Sequence, residues 1–371
     1  MAHEDLLINY VKHRARRALW AWSVLAAIVL AVLAVMEGTW GGHTVGSLSR
    51  SYAAWVRLLI ATPVFLFSTL QIDYVFDSVI KHFITTDFLP DEVAYRKGEK
   101  LRDAVLKLRS INVSLVVFVL VVVLGVSYTK YLIISDDTST WMRKGFTGSE
   151  FSLAGWWYLC ACLPVFQLTF LGCLWRWCVW VLFVVRASTL NFRCFPFHPD
   201  HAGGFSQLGR ASVSFTGMAM GLSTVVSAEM LTQVLYDHRT LQSCLPLVLS
   251  MIGIILVALF GPLLTWIPKL LKAKNDALLS YGTVINQMVQ TFEKRWFQDN
   301  PSKHLLDSSD ASAGADFSAV YSLIEHMSPL PFRRSDVVAV VIVSGLPLLP
   351  LVLAVVPMGR ILKALVQTLL A

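Results

Sequence analysis

Seven stretches of this chain, roughly 18–36, 53–72, 113–133, 154–175, 211–235, 243–267 and 335–357, are apolar over the ~20 residues that a helix needs to cross hydrocarbon. In lipid every backbone N–H and C=O has to be satisfied inside the segment, so stretches of this kind are expected to be helices. Composition agrees: 56% of the 371 residues are hydrophobic and 15% charged, against about 25% charged in a soluble domain. The expected fold class is therefore all-α, a polytopic membrane helical bundle of about seven transmembrane helices with a small cytoplasmic helical layer. The whole chain, 1–371, reads as a single membrane domain, with 268–334 as a cytoplasmic helical insertion. The fourth stretch stays apolar to about residue 190, as one long tilted helix or two, and Pro164 suggests a kink there.

Lysine and arginine set the orientation. With the N-terminus inside, segments 1–17, 76–112, 176–210 and 268–334 carry 23 of the 31 basic residues, and the outer segments carry eight. That bias is a positive-inside signal, and it accounts for the net charge of +7 without invoking nucleic acid. The lead "MAHEDLLINYVKHRARRALW" lacks a small-residue cleavage site, so the first apolar stretch is expected to stay in the membrane. Expected localisation is the bacterial inner (cytoplasmic) membrane, N-terminus cytoplasmic and C-terminus periplasmic.

Within the insertion, Leu271, Leu278, Tyr281, Ile285, Met288, Phe292 and Trp296 share one helical face of 268–298. Residues 300–316 read as a loop, 317–327 as a second short helix, and the tail 359–370 as an amphipathic surface helix. The six cysteines fit neither a disulfide framework nor a zinc ribbon.

One polar island interrupts the cytoplasmic side, "FHPDHAGGF" at 197–205. His198 and Asp200 are its candidate catalytic pair, and His198, Asp200 and His201 form a weak candidate metal set. Catalytic zinc takes three protein ligands, but Pro199 stiffens the run, and a distant His304 or His326 would be needed. The plainer reading has His198 and Asp200 bonding the loop's own backbone, as aspartate does in turns. Gly203 and Gly204, flanked by Arg193 and Arg210, form a candidate anion cradle, because paired glycines let N–H groups converge. A tight turn is the commoner role for such a pair. The His-Pro-Asp tripeptide of J-domain co-chaperones lies between soluble helices, so that reading is set aside.

Inside the spans, Glu229 and Arg57 lie at matching depth and form a candidate pair or pore-lining site. The fifth stretch adds Ser223, Thr224 and Ser227, with Gly217 and Gly221 four apart, a spacing that suits close helix packing as well as a polar pore. Asp73 and Asp77 share a face at the inner end of the second stretch, and Arg176 is expected to snorkel to headgroups.

"LNFRCFPFHPDHAGGFSQLG", "PKLLKAKNDALLSYGTVINQMVQTFEKRW" and "HLLDSSDASAGADFSAVYSLIEHMSPLPF" together resemble three ordered blocks of a family of uncharacterised bacterial multi-pass membrane proteins. The loop of that family reads approximately Thr-His-Pro-Asp-x-Ala-Gly-Gly-Leu. The resemblance covers roughly 155–371; it implies an inner-membrane location and no particular activity, and the position of His201 varies in that family. The expected function is a channel or transporter for ions or small solutes. The alternatives are a membrane-embedded enzyme at the cytoplasmic loop and a non-catalytic sensor or scaffold. No nucleotide-binding, HExxH or GxSxG motif is present. No cofactor is expected; the expected partners are the lipid bilayer, ions or small solutes, further copies of the chain, and no nucleic acid.

Overall fold

A computed structural model describes residues 21–41, 46–85, 88–109, 111–135, 140–144, 150–236, 240–294 and 309–351. Ten helices carry the description. They are α1 (Ala21–Met36), α2 (Tyr52–Ile84), α3 (Glu92–Arg109), α4 (Ile111–Ser135), α5 (Leu153–Ser188), α6 (Ser206–Tyr236), α7 (Leu241–Phe260), α8 (Ile267–Glu293), α9 (Ser309–Glu325) and α10 (Arg334–Leu351). No β-strand occurs among the described residues; Arg143 and Phe151 form one isolated bridge. Five helical runs are long and apolar enough to cross a membrane, and α1 and part of α4 are shorter apolar helices. The chain is an all-α membrane-type bundle.

Several extents differ from the sequence expectation. The second span runs on to Ile84, and the fourth is one helix of 36 residues. Its Pro164 sits in the first turn of the α-helical part, straight after a π-helical turn at Tyr158–Cys162. Proline is tolerated there because the looser turn absorbs the missing N–H. The sixth span passes through a short 3-10 stretch at Gly261–Trp266, with Pro262 at its start, straight into α8. Helix also begins at Ser309 rather than near 317. Small residues there, Ala311, Ala313 and Ala315 among them, favour helix over loop. The basic lead 1–20, His304, Trp296 and the tail 359–370 lie outside the described residues.

Helix registers are consistent from end to end. Helices α2 and α6 run antiparallel: Tyr52 stacks on Tyr236, and further in a Cβ on Gly221 would fall 2.5 Å from Phe65 and one on Gly217 2.7 Å from Ser68. The two glycines thus leave room for the Phe65 ring and the Ser68 side chain of α2 against α6. Helices α2 and α5 run parallel, with Thr69 beside Gly172 and Asp73 bonded to Arg176. Helix α4 crosses α5 through Phe118 against Trp175, and Gly125 leaves room for Gln167.

The end of the bundle that carries the 197–205 loop closes on a knot of aromatic rings. Phe83 stacks on Phe205 at 5.4 Å, Phe205 meets Trp266 at 4.8 Å, and Phe88 and Phe192 fill the flanks. Phe205, the residue directly after the glycine pair, is fully buried. Fully burying such rings is worth roughly 2–3 kcal/mol each, so the polar loop is anchored by its apolar end. Beyond the knot, α8 packs along α9 through Ile285, Met288 and Phe292, with Tyr321 over Gly282. Leu271, placed on that face by its spacing, is 40% exposed, and Leu270 and Ala277 are buried instead.

Candidate functional site

The loop at 197–205 is organised by one carboxylate. Asp200 Oδ1 accepts the Ala202 N–H at 2.9 Å and the Gly204 N–H at 3.0 Å, while Oδ2 accepts the Ser206 N–H at 3.1 Å. Ser206 opens α6, so the aspartate also satisfies a helix-start donor. The chain reverses through left-handed backbone at His201 (φ 55°), Gly203 (65°) and Gly204 (92°). The glycine cradle suggested by sequence is thus occupied, and its anion is the chain's own Asp200. A Cβ at Gly204 would fall 2.7 Å from Phe88, and one at Gly203 2.9 Å from Met327. A side chain at Gly204 would run into the Phe88 ring, one at Gly203 would displace only the Met327 methyl, and both backbones need a conformation that glycine alone adopts cheaply.

His198 Nδ1 stands 2.9 Å from Asp200 Oδ1 and 3.2 Å from the Asp200 N–H. The first contact needs a proton on Nδ1 and the second a lone pair, so they cannot both be hydrogen bonds. The shorter, charge-assisted contact to the carboxylate is the stronger of the two. Burial pushes the Asp200 carboxyl up, but the three backbone donors and His198 outweigh it and hold it below the ordinary carboxylate value. Asp200 is therefore an ionised structural acceptor, with each oxygen already bonded. The His82 ring, at the foot of α2, packs on Phe83 and Phe88 within electrostatic reach of His198 and Asp200.

The other loop candidates lie apart. Arg193 is exposed, its N–H bonded to the Phe88 carbonyl at 2.8 Å and its guanidinium 5.5 Å from the Phe195 ring centre. Arg210 is exposed on the first turns of α6. His201 donates nothing to Asp200; its carbonyl accepts the Ser328 N–H at 2.7 Å, tying the loop to the segment before α10. His326 bonds within its own helix, to the Ser322 carbonyl at 2.7 Å. No group of three metal-ligating side chains occurs among the described residues.

The intramembrane candidates divide. Arg57 Nη2 and Glu229 Oε2 stand 4.0 Å apart, with the two side chains 32% and 53% exposed. Arg57 also donates to the Tyr158 hydroxyl at 3.3 Å. Both residues begin π-helical turns, Arg57–Ala61 and Tyr158–Cys162, so two helix irregularities face each other there. Thr224 is back-bonded to the Met220 carbonyl, and Ser223 and Ser227 are buried against neighbouring helices. Four buried polar atoms among the described residues find no partner: Ser68 Oγ, Gln167 Oε1, Ser223 Oγ and Ser344 Oγ.

The strongest constellation is one that no motif announced. Arg176 grips Asp73 with two hydrogen bonds of 2.9 Å. Arg109, from the end of α3, reaches Asp73 Oδ1 at 2.8 Å and Asp77 Oδ1 at 2.5 Å. Asp73 and Arg109 are 18% and 13% exposed, and Phe76 lies beneath the Arg109 guanidinium at 5.0 Å. Arg176 therefore turns inward to a carboxylate instead of snorkelling outward, because a bidentate partner is in reach. The carboxylate pair Asp73 and Asp77 was visible in sequence. Its arginines, 36 and 103 positions away from Asp73, were not.

Comparison with family models, with curated proteins and with solved structures returned no match.

Proposed function

We propose that the protein is a transporter of ions or small solutes whose inner end is closed by the Asp73–Asp77–Arg109–Arg176 cluster. The observation that carries this reading is the convergence of four ionisable side chains from three helices, α2, α3 and α5. Asp73 lies 21 residues after Tyr52, about 32 Å at 1.5 Å per residue, which is the inner edge of a hydrocarbon core of roughly 30 Å. Charges at that depth are costly unless paired, and pairs there are the usual material of ion pathways. The unpartnered atoms on Ser68, Gln167, Ser223 and Ser344 support the same reading. They are deeper polar points that a hydrated path would satisfy, and each costs about 1–3 kcal/mol while it stays dry.

The fifth-span hydroxyls support it less directly. Gly217 and Gly221 are spent on packing against α2, and Thr224 on its own helix. An enzyme at the loop gains little support, since Asp200 is saturated by backbone donors. Placement in a bacterial inner membrane, N-terminus inside, rests on the basic-residue bias and on the resemblance given above.

Purified protein in lipid vesicles, assayed in turn with gradients of protons, sodium, potassium, chloride and inorganic phosphate, tests the proposal. Flux of at least one of them above protein-free vesicles is expected. Identical traces for all five, in wild type and in Asp73→Asn alike, would remove the transport reading.

A further inference from the structure

We propose that the cavity between the HPDHAGG loop and the foot of α10 takes the phosphate headgroup of an anionic phospholipid. The cavity is a half-open cleft of about 670 Å³, lined by Ser206, Ser328, Phe332, Arg333, Arg334 and Val338, with Asp200 and His201 on its loop side. Arg333 and Arg334 are exposed, and neither has a carboxylate partner among the described residues. Asp336 caps the helix start, its Oδ2 accepting the backbone N–H of Arg333 at 2.8 Å and forming no ion pair with either guanidinium. Asp200 brings a negative charge to the wall, but its oxygens are turned onto the Ala202, Gly204 and Ser206 N–H groups and His198. Two arginines therefore line the space with no ion pair to either of the carboxylates nearby. Forked guanidinium donors match phosphate oxygens in geometry as well as in charge.

The apolar wall identifies the source of the phosphate. Phe332, Val337 and Val338 line the cavity, and Val338 continues along α10 into Val341 and Ile342 on the same helical face. Those three are 54%, 38% and 61% exposed, as lipid-facing positions of a span would be. A headgroup held by Arg333 and Arg334 would leave its acyl chains along that strip. A free phosphate would make no use of it. Basic pockets at the cytoplasmic ends of spans are a known physical solution to anionic-lipid binding. This inference does not depend on the transport reading.

The test uses full-length protein in neutral detergent with phosphatidylglycerol, phosphatidylcholine or inorganic phosphate added, read by native mass spectrometry and by the thermal midpoint. Phosphatidylglycerol should remain bound at about one per chain and raise the midpoint, while phosphatidylcholine and inorganic phosphate should do neither. Arg333→Gln with Arg334→Gln should weaken the lipid at least tenfold. The Arg333→Lys with Arg334→Lys variant should fall between them, and Arg210→Gln, outside the cavity, should match wild type. Equal retention of phosphatidylglycerol by the double glutamine variant overturns the site. A midpoint shift with inorganic phosphate equal to that with lipid overturns the lipid assignment, and equal binding of phosphatidylcholine overturns the role of charge.

Discussion

Replacing Asp200 should be among the most damaging single changes at this end of the bundle, and the loop geometry sets the size of the loss. Asp200→Ala removes the acceptor of three N–H groups, on Ala202, Gly204 and Ser206, and all three residues are buried. A buried donor left unmet costs about 1–3 kcal/mol, so three together exceed any single bond. Partial rearrangement limits the total, and a loss of about 3–5 kcal/mol is expected. Asp200→Asn keeps one oxygen, which suffices for the Ala202 and Gly204 pair, and turns an amide towards the Ser206 N–H; about half the loss is expected. The pH dependence has a definite sign. Because the folded carboxyl lies below its ordinary value of 3.8, its contribution is present above that value. It is lost as pH falls through the lower folded value. Unfolding in mild detergent, followed by tryptophan fluorescence between pH 2.5 and 7, measures both effects. An alanine variant within about 0.5 kcal/mol of wild type, or an acid limb unchanged in Asp200→Asn, would refute the view that this carboxylate organises the loop.

Further outcomes follow from the same contacts. Gly204→Ala should destabilise by more than the roughly 1–3 kcal/mol of backbone strain, because its Cβ also meets Phe88 at 2.7 Å; a thermal midpoint equal to wild type would contradict this. Arg57→Gln and Glu229→Gln should be nearly additive, with coupling below about 1 kcal/mol, since the two groups stand 4.0 Å apart and Arg57 also donates to the Tyr158 hydroxyl; a double-mutant cycle measures it. Asp73→Asn and Arg176→Gln, by contrast, should couple by more than about 1 kcal/mol, because each single change strands a charge in a mostly buried site. A reporter inserted near Ser312 should behave as cytoplasmic and one fused after Ala371 as periplasmic; both on one side would remove the assigned orientation.

Much of the helical framework was legible because a membrane imposes one period and one length on it. Apolar runs near 20 residues predicted the helices, and the 36-residue run beginning at Leu153 extended where the apolar sequence itself extended past Arg176. The helical spacing of Ile285, Met288 and Phe292 likewise anticipated the face that α8 turns to α9, whereas Tyr281 of the same series meets Phe197 of the loop instead. Asp200 could be read locally, since an aspartate two residues before a small residue bonds backbone N–H groups whatever the fold around it. The charge cluster could not be read in the same way. Asp73 meets Arg176 only because α2 and α5 run parallel at one fixed register, and no local rule encodes that register. Gly217 and Gly221 announced a close approach, but nothing in their spacing named Ser68 and Phe65 as the surfaces approached. Arg176 departs from snorkelling for a related reason: that is what an arginine does without a partner, and its partner lies 103 positions earlier.

The claim that the cluster closes the inner end is tested most directly by comparing flux through Asp73→Asn, Arg176→Gln and the double variant in the same vesicles. If the bidentate pair is one closing element, each single change should raise flux above wild type, and the double variant should rise no further than the larger single. Flux equal to wild type in all three, or increments in the two singles that simply multiply in the double, would contradict it.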